Sequence, residues 1–126
     1  LTGAIVVALG NIHTGFFTKN NALKARFEKA AEASGELVWQ LPLVDHHSRD
    51  MKGTYADLSN MSYSGGAGSA TAAAFLEQFV DADIPWAHVD IAGTAWACGN
   101  RINYCSPKGA TGVMVRTFLE VAKSYL

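Results

Sequence analysis

The chain has 126 residues, 49% of them hydrophobic and 17% charged, and a net charge of −1. That is the size of one domain with enough apolar material for a core. The balance offers neither a basic nucleic-acid face nor an acidic solvating tail, and the longest apolar run, Ala4 to Leu9, is far short of the ~20 residues that span a bilayer. The first residue is Leu1 rather than Met, and no basic segment precedes the apolar run, so a signal peptide does not fit. A strand-like pattern at the first residue leads us to expect a piece of a longer protein. Cys98 and Cys105 are the only cysteines, and free thiols in a reducing compartment are expected.

Ala4 to Leu9 is continuous and apolar between Gly3 and Gly10, which predicts a strand buried on both faces. Gly15 to Thr18 predicts a second, short strand. Asn20 and Asn21 are good helix caps. Behind them Leu23, Phe27, Ala30 and Ala31 form one helical stripe, and Gly35 is the natural stop. Glu36 to Val44 alternates, but Pro42 points to a sheet edge or an extended loop. Asp45 to Asn60 has no clear period, and Ser62 to Gly68 is a glycine-rich loop. Ser69 is a candidate cap for a helix through Ala70, Ala73, Ala74, Phe75, Phe79 and Val80. Trp86 to Ile91 mixes β-branched, aromatic and polar residues, as a mostly buried strand does, and Pro85 suits a strand's first position. Gly93 then breaks the run among the small residues Ala92, Thr94 and Ala95. A strand end that opens into small residues lets a ligand or another backbone approach closely. After a loop from Ala97 to Ala110, Met114, Phe118, Val121, Ala122 and Tyr125 make a last helical stripe. Strands alternate with helices, so the class is α/β.

Few constellations carry chemistry. Asp45, His46, His47 and Asp50 have the donor types of a zinc or iron site. Adjacent histidines in an extended strand point to opposite faces, however, and the spacing that aligns two histidines on a helix is absent. His88 and Asp90 share a strand face, which suits an acid–base or ligand pair; a buried polar pair bonded to neighbouring groups is the commoner arrangement. Ser64, Ser69 and Ser106 lack a nucleophile elbow, and the loop 64–68 lacks the lysine of a phosphate cradle.

Several stretches together resemble the C-terminal part of the leucyl aminopeptidase family's catalytic domain. They are Leu1-Thr-Gly-Ala4 with Val7-Ala-Leu-Gly10, Trp39-Gln-Leu-Pro-Leu43, Ala56-Asp-Leu58 with Asn60, Thr71-Ala-Ala-Ala-Phe-Leu76, Trp86-Ala-His-Val-Asp-Ile-Ala-Gly-Thr-Ala-Trp96, and Pro107-Lys-Gly-Ala-Thr-Gly112 with Val115-Arg-Thr117. Their order and spacing cover essentially the whole chain.

The resemblance implies a mixed β-sheet covered by helices on both faces, here the C-terminal half of the catalytic domain. It implies a cytoplasmic, hexameric metallopeptidase that removes N-terminal residues, often leucine, from peptides. Two divalent ions, zinc, manganese or magnesium, would activate water and polarise the scissile carbonyl. By the family pattern the metal ligands and the catalytic lysine and arginine lie upstream, so no catalytic or metal-binding residue is expected in this chain. Substrate contacts do carry over. The backbone of Leu1 would meet the peptide, and Gly3, Ala92 and Ala95 would line the pocket for its first side chain. The expected partners are peptide substrates, the upstream half of the same protein, and further copies of it. A rival from another class is a catalytically dead relative kept as a structural or assembly subunit.

Overall fold

The structure is a computed structural model that describes residues 3–96 and 108–126. Its organising strand is β1, Thr14–Phe17, every residue of which is buried. That burial follows from position. β1 lies between β2, Val38–Gln40, which is parallel to it, and β3, His88–Asp90, which is antiparallel. Successive strand residues face opposite ways, so Phe16 and Phe17 seed two separate cores. Phe16 packs with Phe27, Val113 and Met114 on one face. Phe17 packs with Leu43, Met51, Ala70, Ala73 and Ala74 on the other. The sheet is therefore mixed and covered by helices on both faces, as expected.

The Phe16 face is covered by α2, Asn21–Ser34, and α5, Val115–Lys123. Asn20 caps α2 by accepting the Leu23 N–H at 2.8 Å, and Gly35 stops it in the left-handed conformation at φ 73°. Of the two asparagines predicted as caps, Asn20 takes the role and Asn21 is the first helical residue.

The Phe17 face is covered by α4, Gly68–Glu77, together with α1, Ala4–Leu9, and the short α3, Asp45–Arg49. Ala70, Ala73 and Ala74 are small, so α4 lies close against the sheet. Here the structure corrects three expectations. Ala4 to Leu9 is a helix, not a strand buried on both faces, and only Ile5 of it is buried. Ile5 sits over Gly15, where an added Cβ would come within 2.5 Å of its Cδ1. The structure leaves Ser69 inside α4 rather than at its cap. The cap position is Ala67, itself left-handed at φ 46°, and the Ser69 hydroxyl turns to Asp90. Finally, the strand expected over 86–91 is hydrogen-bonded to β1 only over His88–Asp90.

One buried group ties distant segments together. Glu36, 3% exposed, follows the stop of α2. Its carboxylate accepts the Met114 N–H at 2.9 Å, the Thr117 N–H at 3.0 Å and the Thr117 hydroxyl at 2.6 Å. Met114, at the cap position of α5, has a left-handed φ of 69° and brings no side-chain cap of its own. Glu36 thus supplies the anion and acceptors that a helix start requires, from almost eighty residues away. Glu36→Ala would orphan three buried donors, each costing about 1–3 kcal/mol. Thermal melts of the full-length protein should show a large drop for E36A and a smaller one for E36Q, which keeps one acceptor oxygen. Equal melting temperatures for the parent and E36A would refute this role.

Candidate functional site

The residues predicted to meet substrate fall on two stretches: the entry to α1 and the turn that follows β3. Leu1 lies outside the described residues. Gly3 is the exposed N-cap of α1, and a Cβ built on it would meet nothing within 4 Å. Among the described residues, open space therefore lies in front of this position. Ala92 and Ala95 are half-buried, and Ala95 packs against the Phe16 core.

The turn that carries both alanines is held from every side. The N–H groups of Thr94 and Ala95 both donate to the Ile91 carbonyl at 2.9 Å. The Ala92 N–H donates to Asp90 Oδ1 at 3.2 Å, and Ser69 on α4 donates to Asp90 Oδ2 at 3.1 Å. Beneath the turn, the buried hydroxyls of Thr14 and Thr94 bond at 2.7 Å, joining it to β1. Across it, the Thr111 N–H donates to the Ala95 carbonyl at 3.0 Å and the Thr111 hydroxyl to the Thr94 carbonyl at 2.7 Å.

Gly93 is where sequence composition announces a close approach. The group that approaches is the chain's own backbone: a Cβ on Gly93 would stand 2.2 Å from the Gly10 carbonyl oxygen. Any side chain here would push the turn off α1. Gly93 thus meets the C-terminal end of α1, while Gly3 stands at the other end, roughly 9 Å away for a six-residue helix.

His88 and Asp90 do share a face, opposite Phe17 and Gly15 of β1. They do not act on one another as a bonded pair, since Ser69 and Ala92 hold the two carboxylate oxygens. The arrangement is the buried polar one. The His88 ring lies between Phe17 and Trp86, with centroids 5.9 and 6.4 Å away. Its Nε2 is buried without a partner among the described residues. Burial pushes the imidazole pKa below the usual histidine range, against the pull of the Asp90 carboxylate.

The Asp45–Asp50 cluster lies on and just beyond α3, and three of its four candidate ligands are engaged separately. Asp45 pairs with Lys19 at 3.5 Å, His47 Nδ1 accepts the Val44 N–H at 3.3 Å, and Asp50 accepts the Ser64 hydroxyl at 3.0 Å. Among the described residues no three His, Cys, Asp or Glu side chains converge as metal ligands. Cys98 and Cys105 lie outside the described residues.

No sequence pattern assigns a hydrogen-bonding role to Thr14, Glu36, Thr94, Thr111 or Thr117, and Ser69 is expected as a helix cap rather than as the partner of Asp90. Hydroxyls and a lone carboxylate carry no periodic signal. For Thr111 the cue was its place in the run Lys108-Gly-Ala-Thr-Gly112, where Gly109 and Gly112 both take positive φ.

Comparison with known proteins gives this turn a context. The profile of the cytosol aminopeptidase family, catalytic domain, matches residues 1–119. A probable cytosol aminopeptidase of Bdellovibrio bacteriovorus is 70% identical over 125 residues, covering 99% of this chain and 25% of that protein. Another from Prochlorococcus marinus is 47% identical over 124 residues, with 98% and 25% covered. The chain thus spans about a quarter of the length of the curated relatives it matches. Among solved structures, a bottromycin maturation enzyme, BotP, in complex with Mn superposes with a TM-score of 0.88 at 38% identity, over 99% of this chain and 27% of that one. A mutant of tomato leucine aminopeptidase gives 0.83 at 41% identity, over 96% and 22%. A profile matched over nearly the whole chain, with the fold shared by these solved structures, places the chain in the cytosol aminopeptidase family, within its catalytic domain.

Proposed function

We propose that the full-length protein is a metal-dependent aminopeptidase that releases N-terminal residues, leucine by preference, from peptides. The observation that carries this reading is the family match over residues 1–119, supported by 70% identity to a probable cytosol aminopeptidase. The chain spans about a quarter of such relatives, so the other three quarters have room for a catalytic set. We assign the two divalent ions, zinc, manganese or magnesium, to residues upstream of this chain. The described residues do not fit them, for no ligand group converges here; the solved neighbour described in complex with Mn supports the choice of a divalent ion.

The chain's own part is to bind. The backbone of Leu1 meets the peptide, and Gly3, Ala92 and Ala95 form the wall facing its first side chain. Small residues on such a wall leave room for a branched apolar group. The open space before Gly3 and the tightly held 91–95 turn support that placement. We further propose that the protein is cytoplasmic and hexameric; the name cytosol aminopeptidase carried by its relatives supports the location.

The test is hydrolysis of leucine amide by the full-length protein before and after chelation. Activity should vanish on chelation and return with manganese or zinc. Turnover that chelation leaves untouched would overturn the reading.

A further inference from the structure

We propose that Thr111 is a positioning residue that sets the selectivity of the pocket for the first side chain. This rests on the pocket reading above, in which Ala92 and Ala95 face that side chain. Ala95 can present a fixed wall only if its backbone is fixed, and Thr111 bonds that backbone twice. Its N–H donates to the Ala95 carbonyl at 3.0 Å, and its hydroxyl to the Thr94 carbonyl at 2.7 Å. The same hydroxyl accepts the Val113 N–H at 3.2 Å. A bridge between Trp96 and Ala110 continues the pairing one residue further.

Thr111 is itself anchored. Val113 and Met114 follow it into the Phe16 core, and the buried Glu36 carboxylate holds the Met114 N–H. A rigid line therefore runs from the sheet core, through Glu36 and Met114, to Thr111 and the Ala95 backbone. Thr111 acts on the wall through these two bonds to its backbone. Without its hydroxyl the 94–95 peptide can shift outward, and displacement of such a wall changes which side chain fits.

The experiment uses the full-length protein and the ratio of kcat/KM for leucine amide to that for alanine amide. Thr111→Val removes the hydroxyl at nearly constant volume; Thr111→Ser keeps it. T111V should change the ratio by about three- to tenfold, a fraction of what a misplaced group can cost, with T111S close to the parent. A purely structural role would lower both substrates together and leave the ratio fixed. If T111V does not fold, T111A is compared with T111S, and the ratio should move only in T111A. Ala92→Phe runs in parallel. A ratio that moves in A92F but not in T111V or T111A overturns the role of Thr111 alone. A ratio unmoved by A92F overturns the pocket reading, and the inference with it.

Discussion

The 126-residue chain expressed by itself should show no aminopeptidase turnover above background, with or without added zinc or manganese. A clamp of two ions needs several carboxylate or imidazole ligands converging on one place. The described residues provide no such group, and within the 45–50 segment Asp45, Asp50 and His47 are engaged by Lys19, Ser64 and the Val44 backbone. The isolated chain should also fail to give a sharp melting transition. Both outer strands of the three-stranded sheet, β2 and β3, have an edge unpaired by any described strand. Such edges are templates for aggregation. Large apolar groups are exposed as well: Val7 on α1 is 91% exposed and Trp39 on β2 is 62% exposed. Covering one such side chain is worth about 1.5–3 kcal/mol, against a net stability of ~5–15 kcal/mol for a whole domain. The check is an assay on leucine amide with near-UV circular dichroism through a melt. Metal-dependent turnover, or a soluble monomer with a cooperative transition, would show that the chain is an independent unit.

Ala92→Phe in the full-length protein should turn selectivity away from leucine and toward smaller first residues. Ala92 is held by its own N–H on Asp90 and by the turn that Thr94 ties to β1, so the backbone cannot easily retreat from added bulk. One methylene in an apolar pocket is worth ~1–3 kcal/mol, or roughly 10–200-fold, and a ring displaces more than one. The ratio of leucine to alanine hydrolysis should therefore fall at least about tenfold. An unchanged ratio in a normally folded variant would place Ala92 away from the first side chain.

How far the fold was legible depends on the kind of signal each segment carries. Helix α2 announced itself through a cap, a stripe and a glycine stop, and all three appear in place. Strand β1 was legible because aromatic residues at 16 and 17 suit a strand covered on both faces. Ala4 to Leu9 misled because a short apolar run has no period that separates strand from helix. Val6 and Val7 bias such a run toward strand. Packing of Ile5 on Gly15, and of Ala4 beside Gly68, favours a helix there instead. Helix α3, Asp-His-His-Ser-Arg, has no apolar residue and so no stripe to read. The loop before α4 turns through Gly65 and Gly66 at φ 72° and 77°, which lets Ala67 rather than a hydroxyl residue begin the helix.

The candidate site divides in the same way. Pro85 to Trp96 stood out by composition, and the structure shows why the small residues are needed: Gly93 lies against the Gly10 carbonyl. The bonds that hold the turn were not legible. Thr14 and Thr94 are 80 residues apart, and Glu36 and Thr117 are 81. No local pattern links such pairs, and only the folded sheet brings them together.

The measurement that bears most directly on the whole reading is peptide digestion by the full-length protein, stripped of metal and then reloaded. Peptides differing only in their first residue are supplied, and the products are identified by mass. The reading predicts single residues released from the N-terminus, fastest for leucine, lost on chelation and restored by manganese or zinc. Cleavage within the peptide, or release that persists in the metal-free protein, would contradict it.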